Sequence, residues 1–344
     1  MLIACFVITV LAGYVFNRIE NFRDKGYIIF ISVLLILLMG LRHETCFIDT
    51  VRYVGGYNIL KNASFSQIPD LMNKDSTFWI FSKLVGSISG YSYTVWLFLL
   101  GAIYVIPIAI LIRKYSLNST YSYIVFWALG FCFFSMTGLR QTLAFSLIVV
   151  AFIFLMEKRP AMFIFTVLAA SLFHITAAIF IIAYPITLVP INKKTICLYV
   201  IAALLLQVFG RSLLYMLIQS NDRFVGYEDF HGANLSGLII QILIFAYSLY
   251  YLQDEVDLPI NKTLFHMCLL GIVFQSVATH VAEMFRISMY FSIFNIVLFA
   301  NAISSTYKDP TLSIIRPLTI VALCVYTLIS PSTNTEYNFF WSTL

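Results

Sequence analysis

Apolar residues run along this chain in long blocks separated by short polar turns, at 1–16, 27–41, 94–112, 120–135, 139–156, 161–173, 175–190, 195–218, 235–252, 264–280, 284–304 and 312–330. The blocks lack the alternation expected of strands in a membrane barrel. A hydrocarbon core about 30 Å thick offers no partner to exposed backbone groups, so runs of this length predict helices, about a dozen of them. The fold class expected is therefore all-α, a polytopic integral membrane protein. Block 161–173 is shorter than the roughly 20 residues of an upright span, which predicts a tilted, broken or re-entrant helix there. Between 42 and 93 lies a long loop whose apolar stretch, Phe78 to Ile88, reads as a segment on the membrane surface.

Composition agrees: hydrophobic residues make up 61% of the chain and charged residues 11%, against roughly 25% charged in an ordinary soluble domain. No charged or Pro/Gly-rich linker divides the blocks, so 1–344 is read as one transmembrane domain. No internal repeat is visible, which argues against an inverted-repeat transporter. The first block lacks a positive region before it and is read as a retained helix rather than a signal peptide. Cys5, Cys132, Cys197, Cys268 and Cys324 lie in apolar blocks and Cys46 in a loop, so no disulfide framework is expected. The net charge of +5 is read as a topogenic signal and not as a nucleic-acid footprint.

Lysine and arginine set the orientation. With the N-terminus outside, the inner loops hold Arg18, Arg23, Lys25, Arg113, Lys114, Lys158, Arg159, Lys193, Lys194, Lys262, Lys308 and Arg316. The short outer loops then hold Arg140, Arg223 and Arg286, which predicts both termini outside. The outer positions favour arginine: Arg42, Arg52, Arg140, Arg223 and Arg286, accompanied by His43, His174, His231 and His280. Topogenesis disfavours these charges, whereas a planar guanidinium binds phosphate bidentately and stays charged when partly buried. Snorkelling to headgroups explains any single one of them about as well. Arg140 and Arg286 are embedded in apolar sequence, where ionisable residues are costly and usually functional. Together the five arginines are read as a diphosphate-binding set.

Three constellations carry candidate proton chemistry. Asp49, Arg52 and Tyr53 share one face if 49–57 is helical, with Tyr57 following. His174 stands where two short apolar blocks meet, and a histidine satisfied by backbone is the plain alternative. His280, Glu283, Arg286 and Tyr290 follow helical spacing, with a local Glu283–Arg286 ion pair as the structural alternative. Asp49, His174 and Glu283 are the candidate bases, with Glu283 better suited to orienting Arg286. Outer tyrosines such as Tyr53, Tyr57, Tyr91 and Tyr227 are weak candidates for stacking on sugar rings. No HExxH, paired CxxC, acidic cluster, GxSxG elbow or Walker loop is present, so no metal and no cofactor are expected.

The stretch Gly138-Leu139-Arg140-Gln141-Thr142-Leu143-Ala144, the basic turn Glu157-Lys158-Arg159 and then Leu168-Ala169-Ala170-Ser171-Leu172-Phe173-His174 resemble the EpsG-type family of bacterial polysaccharide polymerases, a Wzy-like branch. Gly40-Leu41-Arg42, Asp49-Thr50 with Tyr53, and Arg286 with Tyr290 extend the likeness. Two positions depart from the pattern: no glycine stands shortly before Asp49, and Asp75 occupies a place where glutamate is usual. The resemblance implies a GT-C-like membrane glycosyltransferase that joins a glycan from an undecaprenyl-diphosphate carrier to a lipid-linked repeat unit, without a metal. It implies the bacterial inner membrane, an active site on the outer face, and membrane lipid together with a flippase and a chain-length regulator of the same pathway as partners. In that scheme Arg140, Arg286, Arg42, Arg52 and Arg223 hold the diphosphate, while Gln141, Tyr53 and Tyr290 support them. Two other readings fit His and Arg among many helices: a membrane acyltransferase that modifies glycans, and an exporter or flippase of lipid-linked oligosaccharide. An exporter would line a cavity reached from both sides, whereas these charges gather toward one face.

Overall fold

The computed structural model describes residues 1–19, 23–72, 75–219, 232, 235–306 and 314–342. Its described residues are helical, with one isolated antiparallel bridge between Arg42 and Phe339. Five helices are long and apolar enough to cross a membrane, or seven if each of two bent pairs is one span, and further apolar helices are shorter. The all-α polytopic class holds, but about a dozen full spans do not appear among the described residues, because several apolar blocks fold as short or broken helices.

The chain packs as two compact units, Met1–Ala178 with Asp309–Leu344, and Ile179–Lys308. In the first, α1 (Leu2–Phe16), α2 (Arg23–Gly40), α6 (Tyr93–Tyr115) and α9 (Leu139–Met156) are joined by α7 (Ser119–Ala128), α8 (Phe131–Thr137), α10 (Pro160–Phe173) and α17 (Ile315–Ile329). Helix α9 lies against α6 and α10, and α2 against α1 and α6. The block 120–135 is broken: α7 and α8 meet at a 56° bend, where Gly130 takes φ 74°, a conformation that a side chain disfavours. The short block 161–173 becomes the 14-residue α10, which stops at His174 in extended conformation (φ −154°, ψ 110°). A 3₁₀ segment, Ile175–Ile182, and α11 (Ala183–Thr187) follow it.

The segment 42–93 is helical rather than a long loop, containing α3 (Ile48–Ile59), α4 (Ile68–Leu71) and α5 (Ser76–Ser89). Aromatic burial drives this. Tyr57 stacks on Trp96 at 4.5 Å, and Phe78 and Trp79 pack around Tyr53. A Cβ on Gly56 would stand 2.5 Å from the Trp79 ring, so glycine is what lets α3 lie this close. The stretch Phe78 to Ile88 therefore buries Phe78, Trp79, Ser82, Lys83 and Gly86 on one face of α5.

The C-terminal tail straps the end of α2. Tyr337 donates to Leu38 O at 2.6 Å, and the backbone N–H groups of His43 and Phe340 donate to Asn338 O and Leu41 O at 2.8 and 2.9 Å. Cys46, expected in an open loop, is instead buried and hydrogen-bonded to the backbone of Asn338.

In the second unit α14 (Pro259–Ala278) packs against α11, α12 (Lys193–Gln219), α13 (Ser236–Leu252) and α15 (Phe285–Ser292), and α13 also packs against α16 (Asn295–Ser305). Helices α15 and α16 form the second bent pair, at 48°. Some of its buried polar groups are linked: Gln241 donates to Ser288 Oγ at 3.0 Å, which donates to Gly271 O at 2.8 Å. His266 Nε2 donates to Val189 O at 2.8 Å, so its Nδ1 accepts from the Tyr199 hydroxyl, also at 2.8 Å.

Candidate active site

Helices α9 and α10 run as a hairpin joined by Glu157-Lys158-Arg159. At 18 residues α9 is about 27 Å long. Residues at its start and its end therefore lie on opposite sides of a membrane-sized distance. Arg140, in the first turn of α9, and His174, just past the end of α10, share the end far from the basic turn.

A cation in the first turn of a helix opposes the helix dipole, and Arg140 has an anion to offset it. Its Nη1 donates to Asp75 Oδ2 at 2.9 Å. Its Nε donates to the Tyr53 hydroxyl at 3.2 Å, and the guanidinium carbon lies 5.7 Å from the Tyr53 ring centroid. Asp75 stands at the N-cap position of α5, without a side-chain capping bond, in a left-handed conformation, φ 55° and ψ 49°, which aspartate tolerates better than most residues. A carboxylate there is favoured by the α5 dipole as well. His174 Nδ1 stands 3.7 Å from the same Asp75 Oδ2, longer than a direct hydrogen bond. That nitrogen is buried with no hydrogen-bond partner, while the His174 backbone is fixed to Ala170 O and Ala177 N at 3.1 and 2.9 Å.

Four helices thus bring a guanidinium, a carboxylate, an imidazole and a phenol together. The side chains of Arg140, Asp75 and His174 are 29%, 20% and 18% exposed, so they are reachable from outside yet partly shielded from water. Beneath them lies the aromatic layer of Tyr53, Phe78, Trp79 and Trp96, flanked by Phe173 on Phe81. The arrangement can hold an anionic group, accept a proton and steady the charge that results.

Gln141 is buried beside Arg140 in sequence. Asp49 and Arg52 lie on α3 as the helical spacing predicts, Asp49 half-buried and Arg52 exposed. Arg42 is 1% exposed beneath the C-terminal tail, where its Nη1 donates to Met39 O at 2.6 Å. Burial pulls its guanidinium down to about 10, only partly offset by Tyr337 and Cys46. Arg286 is exposed on α15 and Tyr290 buried on the same helix, both in the second unit. Glu283 lies in the 3₁₀ turn Ala282–Met284, with its side chain outside the described residues. Arg223, Tyr227 and His231 also lie outside the described residues. His280 Nε2 donates to Gln207 O at 2.7 Å, a histidine satisfied by backbone.

Asp75 is the member of this cluster that the sequence reading did not select as a site residue. Its signal was an acidic residue immediately before a helix-forming aromatic run, an N-cap signature. Among the described residues no three His, Cys, Asp or Glu side chains gather as metal ligands would. The model of the EpsG family matches residues 25–342, nearly the whole chain. No curated protein and no solved structure matches it.

Proposed function

The chain belongs to the EpsG family, Wzy-like polymerases with a polysaccharide-building role, and on that premise we propose that it joins lipid-linked glycans at the outer face of the bacterial inner membrane. The donor is a glycan on undecaprenyl diphosphate and the acceptor is a lipid-linked repeat unit. The observation that carries this reading is the meeting of Arg140, Asp75, His174 and Tyr53 at one end of the α9–α10 hairpin.

Orientation rests on the opposite end of the first unit. There Lys25, Arg113, Lys114, Lys158 and Arg159 flank the starts and ends of α2, α6, α9 and α10, and Ser119 donates to Asp24 at 3.0 Å. Positive residues in short loops favour the cytoplasmic side, which puts the Arg140 end outside.

In the reaction the acceptor hydroxyl loses its proton to His174 as its oxygen attacks the donor's anomeric carbon. The bond from that carbon to the diphosphate oxygen breaks, and the electron pair leaves with the lipid diphosphate. Arg140 offers a fixed guanidinium to the growing negative charge, the role that a metal plays in other transfers, and a preorganised cation is worth most where charge develops. His174 then releases its proton to water. Cells carrying Arg140→Lys or His174→Gln should accumulate single lipid-linked repeat units while the protein remains inserted and monodisperse. Normal long-chain polymer from both variants would remove the assignment. Normal polymer from His174→Gln with none from Asp49→Asn would pass the base role to Asp49.

A further inference from the structure

Building on that reading of the site, we infer that Asp75 is a positioning residue which couples donor binding to the base. One oxygen carries the argument. Asp75 Oδ2 is 2.9 Å from Arg140 Nη1 and 3.7 Å from His174 Nδ1. A carboxylate oxygen can accept two hydrogen bonds, but at these distances the guanidinium is bonded to it while the imidazole nitrogen stands just beyond hydrogen-bond reach. A diphosphate arriving at Arg140 competes for that guanidinium. As Arg140 turns to the phosphate oxygens, the Asp75 carboxylate loses its cation and becomes the partner of His174.

The consequence for the proton is specific. With Nδ1–H bonded to Asp75, the lone pair on Nε2 faces outward as the base, and the imidazolium formed when Nε2 takes the acceptor proton is stabilised by the carboxylate. Proton removal is therefore favoured when the donor is in place. The backbone supports this role, because Asp75 occupies a left-handed cap at φ 55° and its carbonyl accepts from Phe78 N at 3.0 Å. The Asp75 backbone is held by the start of α5 rather than by Arg140 or His174, so the residue keeps its place when Arg140 turns away. Tyr53, which accepts from Arg140 Nε at 3.2 Å, is a neutral neighbour on the third side of the guanidinium.

Asparagine tolerates the same left-handed conformation, so Asp75→Asn removes the charge and leaves the cap. The full chain, purified in nanodiscs, would be titrated with undecaprenyl diphosphate, and the same variants would be expressed in cells for analysis of lipid-linked glycans. Freed from its competitor, Arg140 should bind the probe a few-fold more tightly in Asp75→Asn, on the order of the strength of one partly exposed ion pair. Polymerisation should nevertheless fall by on the order of 100-fold, the range of a lost general-base contribution. Asp75→Glu should restore part of the turnover. A residue that only stabilises the fold would weaken binding and turnover together. Weaker probe binding in a monodisperse Asp75→Asn protein, or normal polymer from it, overturns the inference. Should Asp75→Asn fail to fold, Asp75→Glu decides: turnover no better than His174→Gln overturns it, and partial turnover upholds it. If Arg140→Lys leaves probe binding unchanged, the diphosphate reading itself fails, a result distinct from failure of the coupling alone.

Discussion

At one end of the α9–α10 hairpin Lys114 and Arg159 share the carboxylate of Glu157; at the other, Arg140 and His174 share the carboxylate of Asp75. The ingredients match, but the arrangements differ. Lys114 takes Oε1 of Glu157 and Arg159 approaches Oε2 at 3.6 Å, with the two cationic side chains 42% and 53% exposed. Water can replace either cation at little cost, and such surface pairs are worth about 0–1 kcal/mol. At the other end a guanidinium and an imidazole face one oxygen, over a floor of tyrosine and tryptophan, on side chains held by helix starts and ends. Losing Arg140 there leaves a partly desolvated carboxylate without its counterion. In the proposed scheme the first cluster serves topology and the second serves chemistry.

The largest effect expected concerns which side each end faces, and it is all-or-none. Cys46 is buried, so the probe has to be a new thiol. Ser66 is exposed in the turn before α4, and Ser66→Cys in a background lacking Cys197 should label with an impermeant maleimide in outer-permeabilised cells. A thiol in place of Lys158 should label only after the inner membrane is opened. The reverse pattern would exchange the roles assigned to the two ends. Next in size is the guanidinium. Arg140→Lys keeps the charge but loses the fixed fork, and should lower the rate on the order of 100-fold, about 2.7 kcal/mol. Arg159→Lys should leave polymer length unchanged. Equal losses from both would erase the contrast.

Much of this was legible in the sequence. The apolar block 139–156 coincides with α9 because Gly138 and the Glu157-Lys158-Arg159 turn bound it sharply. Arg140 stood out as a charge in an apolar setting, His174 as a histidine where two apolar blocks meet, and Tyr53 as a neighbour of Asp49 and Arg52 on one helical face; the structure puts Tyr53 and Asp75 on Arg140 and His174 near the same Asp75 oxygen. What stayed hidden depends on tertiary contact. The bend at Gly130 lies inside a continuous apolar run and leaves no break in hydrophobicity. Helices α3 and α5 mix aromatic with polar residues, so their burial follows from each other's company rather than from their own hydropathy. Asp75 is separated from Arg140 by 65 positions, and no local pattern reports that distance. Arg42 resembled the other outer arginines, yet the C-terminal tail that covers it arrives from the far end of the chain.

A smaller effect sharpens the contrast from within the site. Tyr53→Phe removes the hydroxyl that accepts from Arg140 Nε at 3.2 Å but keeps the ring beneath the guanidinium. A hydrogen bond to a charged group contributes about 1.5 kcal/mol, so the turnover measured in membranes should fall about 10-fold, well short of the Arg140→Lys loss. A loss as large as that of Arg140→Lys would mean that Tyr53 meets the substrate directly.

The smallest effect belongs to the exposed end and is read through pH. The hydrogen bond from Lys114 holds the Glu157 carboxyl below its ordinary value of 4.5, with Arg159 adding to the shift. A carboxyl lowered on folding contributes stability that is whole above its unfolded value and is lost as pH falls through the lower folded value. At pH 7 Glu157→Gln should lower the melting temperature slightly, since solvent screens an exposed pair. Melting curves of the wild type and Glu157→Gln taken at pH 7 and at successively more acid pH below 4.5 should converge. A gap that persists undiminished into acid would show that the Glu157 side chain acts through packing rather than charge. A gap at pH 7 as large as that caused by Asp75→Asn would show that the two ends of the hairpin are coupled to the fold alike, and that burial and a shared oxygen do not set them apart.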